Sequence, residues 1–349
     1  MNRQPFRVAL TADFYEAGKL RYRDIGLSIL KRTTNIELTT LESHLSVIAS
    51  NQLSTINGVI VLSPRVTAES LENCHELLGI GRFGVGYDSV DVDACTAADV
   101  ALFITSGAVD HSVAEATVAW MLALTHHIRI KDRLVREGQW NVRSRYMGCE
   151  LRDRTLGLIG FGGIGKNVVK LLSSFSMATP LVFDPYVTDE AIDQAGARRV
   201  ELDDLLVQSD FISLHCPLND RTRNLLSSRE LSLMNANAYL LNTARGGIVD
   251  EDALYQALVE HRIAGAALDC FSIEPVLDRT RWSDLDNVIL APHSIAWTEE
   301  LFRDIGRSVC QGMLDISSGR RPKHVVNPEV FSRPSFCEKW ERIIQRPLE

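Results

Sequence analysis

Thr155-Leu156-Gly157-Leu158-Ile159-Gly160-Phe161-Gly162-Gly163-Ile164-Gly165-Lys166-Asn167 decides the fold. An apolar, strand-like run enters G-x-G-x-x-G at 160–165, and Ile164–Phe175 continues with apolar residues at helical spacing. The glycines suit a tight turn, a close approach of backbone to a pyrophosphate and tight helix–strand packing, while the N-terminus of the helix offers N–H donors to the anion. A bare G-x-G-x-x-G is weak evidence. Here it stands between a strand and a helix, and Asp184 closes the next β-rich run about 20 residues on, where an acid hydrogen-bonds ribose hydroxyls.

The same residues read as most of a nucleoside triphosphatase loop, Gly160-x-x-x-x-Gly165-Lys166, but that loop needs Ser or Thr next to hold magnesium, and Asn167 is there. Asp184 also bears on cofactor choice. A carboxylate near a 2′-phosphate would be repelled by about 4 kcal/mol per charge pair at ~4 Å and an effective dielectric of ~20. Pro185 and Tyr186, not basic residues, come next, so NAD is expected rather than NADP.

Outward from the turn, β-rich runs alternate with helical patterns, as in α/β folds with parallel sheets. Arg7–Thr11, Gly58–Leu62, Leu77–Ile80 and Val100–Ile104 form one series; Thr155–Gly160, Leu181–Asp184, Phe211–His215, Ala238–Asn242, Gly265–Asp269 and Val288–Ala291 form another, which predicts two sheets. A length of 349 residues, 45% hydrophobic and 23% charged, suits two globular domains and argues against disorder. With 37 Lys+Arg against 45 Asp+Glu the net charge is −8, and the chain has no long basic run, so a nucleic-acid partner is not expected. The seven cysteines contain no C-x-x-C pair, which predicts reduced thiols and neither a disulfide framework nor a metal centre. The N-terminal MNRQPFRVALTADF lacks the apolar run of a signal peptide, and no membrane-spanning stretch follows; a cytoplasmic protein is expected. Ser112–Ile128 reads as a helix opened by a Ser112/Glu115 capping box and apolar on nearly every face, hence buried all round in a domain core or at a subunit interface. The last 20 or so residues, with Pro334, Pro347 and mixed charge, read as a surface tail.

Three segments end strands of the second series: Asn242-Thr243-Ala244-Arg245-Gly246-Gly247, Asp269-Cys270-Phe271-Ser272-Ile273-Glu274-Pro275 and Ala291-Pro292-His293. Ligands of open α/β sheets bind beyond the carboxyl ends of strands, so an Arg, a Glu and a His there can converge. Taken singly each is ordinary: a strand-end His is commonly structural, an Arg beside glycines caps helices, and Glu-Pro marks turns. Together, with GRFGVGYDSVDV (81–92), HSVAEATVAWMLAL, GFGGIGK, FDPY, LHCPL (214–218) and NVILAPH, they resemble the D-isomer-specific 2-hydroxyacid dehydrogenases over roughly residues 58–328.

The resemblance implies a Rossmann NAD-binding domain, residues 105–293, inserted into a flavodoxin-like substrate domain made of 1–104 and 294–349, with hinges near Ile104 and Ser294. It implies NAD-dependent interconversion of a 2-keto acid and a D-2-hydroxy acid. Arg245 would bind the substrate carboxylate and keto oxygen, His293 would be the acid/base, and Glu274 its partner. Val85 and Gly86 would give backbone N–H groups to the carboxylate, and Arg82 matches the family pattern beside them. Cofactor contacts would fall on Gly160, Gly162, Gly163, Ile164, Gly165, Asp184, Cys216, Pro217, Thr243, Ala244 and Asp269. No metal is implied.

Departures from the family shape the substrate reading. Phosphoglycerate dehydrogenases typically carry an Arg after the strand that here reads Gly58–Leu62; this chain has Leu62-Ser63-Pro64-Arg65, with Leu62 in the arginine's place. Hydroxypyruvate, glyoxylate or a sugar-derived acid is therefore favoured, with D-3-phosphoglycerate as the alternative. Ser294-Ile295-Ala296-Trp297 replaces a usually small, glycine-containing stretch, so Trp297 either walls the substrate pocket or packs in an interdomain core. An aromatic just after the catalytic His also occurs in the corepressor branch, so an NAD(H)-responsive binding protein is the reading from a different class. A homodimer through Ser112–Ile128 is expected.

Overall fold

A computed structural model describes residues 4–345. It contains two parallel sheets. The first is formed by β1 (Phe6–Leu10), β2 (Ile36–Thr40), β3 (Gly58–Val61), β4 (Gly79–Arg82) and β5 (Ala101–Phe103), in the order β2-β1-β3-β4-β5. The second is formed by β6 (Leu156–Ile159), β7 (Leu181–Phe183), β8 (Arg198–Arg199), β9 (Phe211–Leu214), β10 (Tyr239–Asn242), β11 (Gly265–Leu268) and β12 (Val288–Leu290), in the order β8-β7-β6-β9-β10-β11-β12. These are the flavodoxin-like and Rossmann strand orders, and each reverses direction at a switch point, between β1 and β3 and between β6 and β9. Register follows burial: Phe211 lies beside Leu156 and Leu214 beside Ile159, and β3, β6, β9 and β11 are buried along their whole length. Such strands, covered on both faces, carry apolar runs rather than alternation.

Every expected strand is present, most of them trimmed by a residue at an end. Two strands of these sheets were not foreseen, β2 and β8, both at sheet edges, nor was a small antiparallel hairpin of Tyr15–Glu16 with Lys19–Leu20.

The chain forms two compact units, one running up to Val109 and from Trp297 onward, the other Asp110–Ala296. Local bonds set these limits beyond the hinges read at Ile104 and Ser294. The Ile104 and Thr105 amides donate to His324 O (3.1 Å) and Gly84 O (3.0 Å), while Ser294 and Ile295 donate to Asp269 Oδ1 (2.8 and 3.1 Å).

In the second unit α1 (Asp110–Thr125) differs from the helix read as Ser112–Ile128. Ser112 lies inside its first turn rather than at the cap. His127, at φ +52°, ends the run and redirects the chain into α2 (Ile128–Arg136). Nor is α1 buried all round: Ala114, Thr117, Trp120, Met121 and Leu124 are buried, but His111, Glu115 and Ala119 are exposed. α3 (Gly163–Leu172) leaves the glycine turn and packs beside α1.

In the first unit α4 (Glu299–Ser317) lies so close to the sheet that a Cβ on Gly81 would meet Val309 at 2.5 Å, and one on Gly58 would meet Met313 Sδ at 2.7 Å. The reading of the last residues as a surface tail is corrected by α5 (Pro334–Gln345), which buries Phe336 and Ile343 and whose Trp340 Nε1 donates to Ile316 O at 2.7 Å. Pro334 starts this helix, where a missing N–H costs nothing. Among the described residues no helix is long and apolar enough to cross a membrane.

Candidate active site

At the carboxyl end of β6, Gly160 adopts φ +92°, and a Cβ there would come within 2.7 Å of the Cys216 nitrogen. Gly162 faces open space, Gly163 opens α3 with its own would-be Cβ position filled by the Asp110 carboxylate, and a Cβ on Gly165 would press on Gly160 O at 3.0 Å. A helix N-terminus behind a glycine-rich turn, its one side chain, Phe161, turned into the core, is a cradle for a pyrophosphate. The residue in the magnesium-ligand place of a triphosphatase loop, Asn167, donates to Gly163 O at 2.8 Å.

Asp184, just past β7, is buried. Its carboxylate accepts from the amides of Phe161 (2.7 Å), Tyr186 (2.8 Å) and Val187 (3.2 Å), so it ties the glycine turn to the loop after β7. A carboxylate has about four acceptor positions, which leaves one for a ribose hydroxyl. Arg199 on β8, unforeseen, braces that loop through Asp184 O, Val187 O and the Asp189 carboxylate. Cys216 and Pro217 follow β9; burial pushes the Cys216 thiol up to about 11, so it is a neutral thiol, and Pro217 O accepts from Thr222 Oγ1 at 2.6 Å.

Past β10, buried Asn242 shapes the next loop: its Oδ1 accepts from the Ala244 amide (3.0 Å) and its Nδ2 donates to Arg245 O (2.8 Å). Nothing in the residue pattern points to this role, which is that of an Asx turn. Thr243 Oγ1 lies 3.5 Å from Thr117 Oγ1, and Arg245 Nη1 donates to Ala244 O at 2.7 Å. Gly246 is tight because a Cβ would fall 2.0 Å from the Phe271 carbonyl carbon.

Asp269, past β11, fastens the neighbouring loop. Its carbonyl accepts the His293 amide (2.8 Å) and its Oδ1 the two amides of Ser294 and Ile295, and burial raises its carboxyl despite them. His293 is held at φ +53°, a conformation sparsely used by non-glycine residues and often found at functional sites. Its Nδ1 meets Glu274 Oε2 at 2.8 Å, leaving Nε2 free to face a ligand. Burial pushes Glu274 upward, but the His293 bond, the Phe271 amide at 2.8 Å and the charges of His293 and Arg245 together hold it below the usual carboxylate range. The arrangement can bind an anion at Arg245 and pass a proton through an imidazole oriented by a carboxylate.

The other unit carries the remaining residues. Arg82 ends β4 and folds back, its Nη1 donating to Phe83 O (2.7 Å) and Val61 O (3.3 Å), which stiffens the turn of Gly84, Val85 and Gly86. Val85 and Gly86 are half-buried. Trp297 is 56% exposed and lies edge-on to Tyr22 (6.0 Å between centroids) and Phe302 (5.2 Å) of its own unit.

The sequence model of the D-isomer specific 2-hydroxyacid dehydrogenase NAD-binding domain matches residues 118–294, and a glyoxylate reductase of Thermococcus litoralis is 35% identical over 280 residues, 78% of this chain and 84% of that one. The chain belongs to the D-isomer specific 2-hydroxyacid dehydrogenase family. Another relative in that family, a D-3-phosphoglycerate dehydrogenase of Methanocaldococcus jannaschii, is 39% identical over 270 residues, 77% of this chain. This chain spans only about half (51%) of that relative's length. Among solved structures, a D-lactate dehydrogenase from Aquifex aeolicus complexed with NAD and lactic acid superposes with a TM-score of 0.78 at 28% identity, over 92% of this chain and 99% of that one. The 2-hydroxyacid dehydrogenase family thus accounts for both strand orders and for the NAD-binding domain.

Proposed function

We propose that this chain is an NAD-dependent dehydrogenase that interconverts a 2-keto acid and a D-2-hydroxy acid, with Asp110–Ala296 as its nucleotide domain and the other unit as its substrate domain. The observation that carries the reading is the His293–Glu274 pair at 2.8 Å, set beside Arg245 on the strand ends of the unit that also holds the glycine turn.

NAD(H), when held by Gly160, Gly162, Gly163, Ile164, Gly165, Asp184, Cys216, Pro217, Thr243, Ala244 and Asp269, supplies or takes the hydride. The chain's own residues do the rest. Arg245 forks the substrate's carboxylate and keto oxygen, at about 1.5–3 kcal/mol for hydrogen bonds to a charged group. Val85 and Gly86 offer backbone amides to the same carboxylate, in a turn that Arg82 stiffens. His293 Nε2 gives the proton to the nascent alkoxide in reduction and takes it in oxidation, while Glu274 on Nδ1 fixes the tautomer and supports the imidazolium.

An unphosphorylated acid such as hydroxypyruvate or glyoxylate fits best. Leu62 offers no charge to a phosphate. The next residue, Ser63, gives its amide (2.9 Å) and hydroxyl to buried Asp13, whose carboxylate would repel one. Arg65 is exposed and bridged through its backbone to Ser46 and Ile48. Trp297, exposed among aromatics, is read as part of the substrate pocket's wall. The 39% identity with a D-3-phosphoglycerate dehydrogenase supports that acid as the second reading. The half-exposed face of α1 is read as the seat of a second copy, and the seven free thiols as those of a cytoplasmic protein.

The test is NADH oxidation with glyoxylate, hydroxypyruvate, pyruvate and phosphohydroxypyruvate. His293→Ala should cost about 10²–10⁴-fold in turnover. A variant as active as wild type would overturn the mechanism, and a wild type inert to every acid would leave the NAD(H)-responsive binding role as the better reading.

A further inference from the structure

We propose that Cys270, Glu274 and His293 form a binding site for a thiophilic divalent cation, Zn²⁺ being the type, and that an ion there shuts the enzyme off. The thiol sulfur, a carboxylate oxygen and a ring nitrogen lie within 4.8 Å of one another, among the described residues the cluster suited to hold a metal ion. Tetrahedral zinc, with bonds of about 2.0–2.3 Å, sets its ligands roughly 3.3–3.8 Å apart. The thiol therefore needs to approach by up to about 1 Å while the Nδ1–Oε2 pair, at 2.8 Å, opens by about half an ångström, both within reach of side-chain rotation.

The set mixes one sulfur, one nitrogen and one oxygen, and it leaves a fourth position for water, which suits zinc better than magnesium or calcium. Cys270 is buried at the root of the loop, where its thiol makes only a long contact to Ala244 O (3.5 Å). Glu274 and His293 stand on the open side, their side chains 34% and 45% exposed, so an ion can enter. Burial, and then the Asp269 and Glu274 carboxylates against the guanidinium of Arg245, hold the Cys270 thiol protonated, while the same two carboxylates favour a cation that displaces the proton. On binding, the thiol releases its proton to solvent and Sγ, Glu274 Oε and His293 Nδ1 each donate an electron pair; the Nδ1–Glu274 hydrogen bond is given up, and no redox partner is needed.

Coordination stands on this geometry alone. Inhibition rests on the proposed role of His293, which could no longer cycle a proton once its partner bond is replaced by a metal. The exposed His111–Glu115 pair on α1, 3.5 Å apart, offers only two ligands and serves as the weak background.

The experiment is a titration of the chain with Co²⁺, read as thiolate-to-cobalt charge-transfer absorption, followed by Zn²⁺ competition and, in parallel, Zn²⁺ inhibition of NADH oxidation. Wild type should show one equivalent of the band, displaced by Zn²⁺, with inhibition reversed by EDTA. Cys270→Ser and Cys270→Ala should lose the band, keep their uninhibited turnover, and need about tenfold or more Zn²⁺ for half-inhibition. No band in wild type, a band that persists in both variants, or unchanged Zn²⁺ sensitivity in Cys270→Ser would overturn the site. If no acid is turned over, the cobalt titration still decides coordination, so failure of the activity and failure of the site are read separately.

Discussion

Replacing Glu274 by Gln removes the charge beside His293 and keeps the shape. The Nδ1–Oε2 distance is 2.8 Å, and the two charges are centred about 4 Å apart, which gives ~1–4 kcal/mol for effective dielectrics between ~80 and ~20. With the side chains 45% and 34% exposed, solvent screening places the value near the lower end, at roughly 1–2 kcal/mol. Glu274 orients the imidazole and supports its protonated form, so Glu274→Gln should lower kcat/KM for keto-acid reduction by about 5–30-fold, the same energy expressed as a rate. The acid side carries its own sign. Glu274 is held below its ordinary range, so the pair's contribution is complete above that range and is lost only as pH falls through the lowered value. The assay is NADH oxidation across the pH range with thermal melting as a control for folding. A variant that melts like wild type and keeps the wild-type kcat/KM would refute the ion-pair reasoning.

Gly160→Ala should cost about 1–3 kcal/mol, since φ is +92° and the new Cβ would lie 2.7 Å from the Cys216 nitrogen; the NADH-dependent rise in melting temperature should vanish, and an unchanged rise would count against the cradle. Phe336→Ala should lower unfolding stability in urea by about 3–5 kcal/mol, whereas a loosely attached tail would give a change near zero. Burial lowers Lys339 to about 8, with Asp99 opposing. The unfolded chain then binds the extra proton, so this group's contribution to stability rises as pH climbs from about 8 toward the ordinary lysine range. Lys339→Met should flatten that part of the curve of urea midpoint against pH, and an unaltered slope would contradict the assignment.

The glycine turn, the strands of both sheets and the Arg, Glu and His at three strand ends were legible because each is a local pattern: an apolar run, a turn or a strand-end motif. Two of the four edge strands, β2 and β8, were not. β2 reads Ile36-Glu37-Leu38-Thr39-Thr40, half polar because only part of it is covered, and β8 is two arginines. α5 was legible in principle, with Phe336, Trp340 and Ile343 at i, i+4 and i+7, but Pro334 and the charges drew the eye to a tail. The break at His127 carries no Gly or Pro signal, only a left-handed His. The nearness of Cys270 to His293 depends on β11 and β12 being neighbours, which spacing along the chain does not show.

The glycine-lined face of the first sheet has a consequence for synthesis. Gly58, Gly79 and Gly81 are shaped to receive Met313, Ile316 and Val309, and Leu102 gives its amide to Asn327 Oδ1 at 2.8 Å. On the ribosome, at about 5–20 residues per second, these partners emerge only after the whole contiguous block Asp110–Ala296 has been made. The block made second thus has its whole framework first, while the opening strands wait with an uncovered apolar face, the stage of this chain's life most exposed to chaperones and to aggregation.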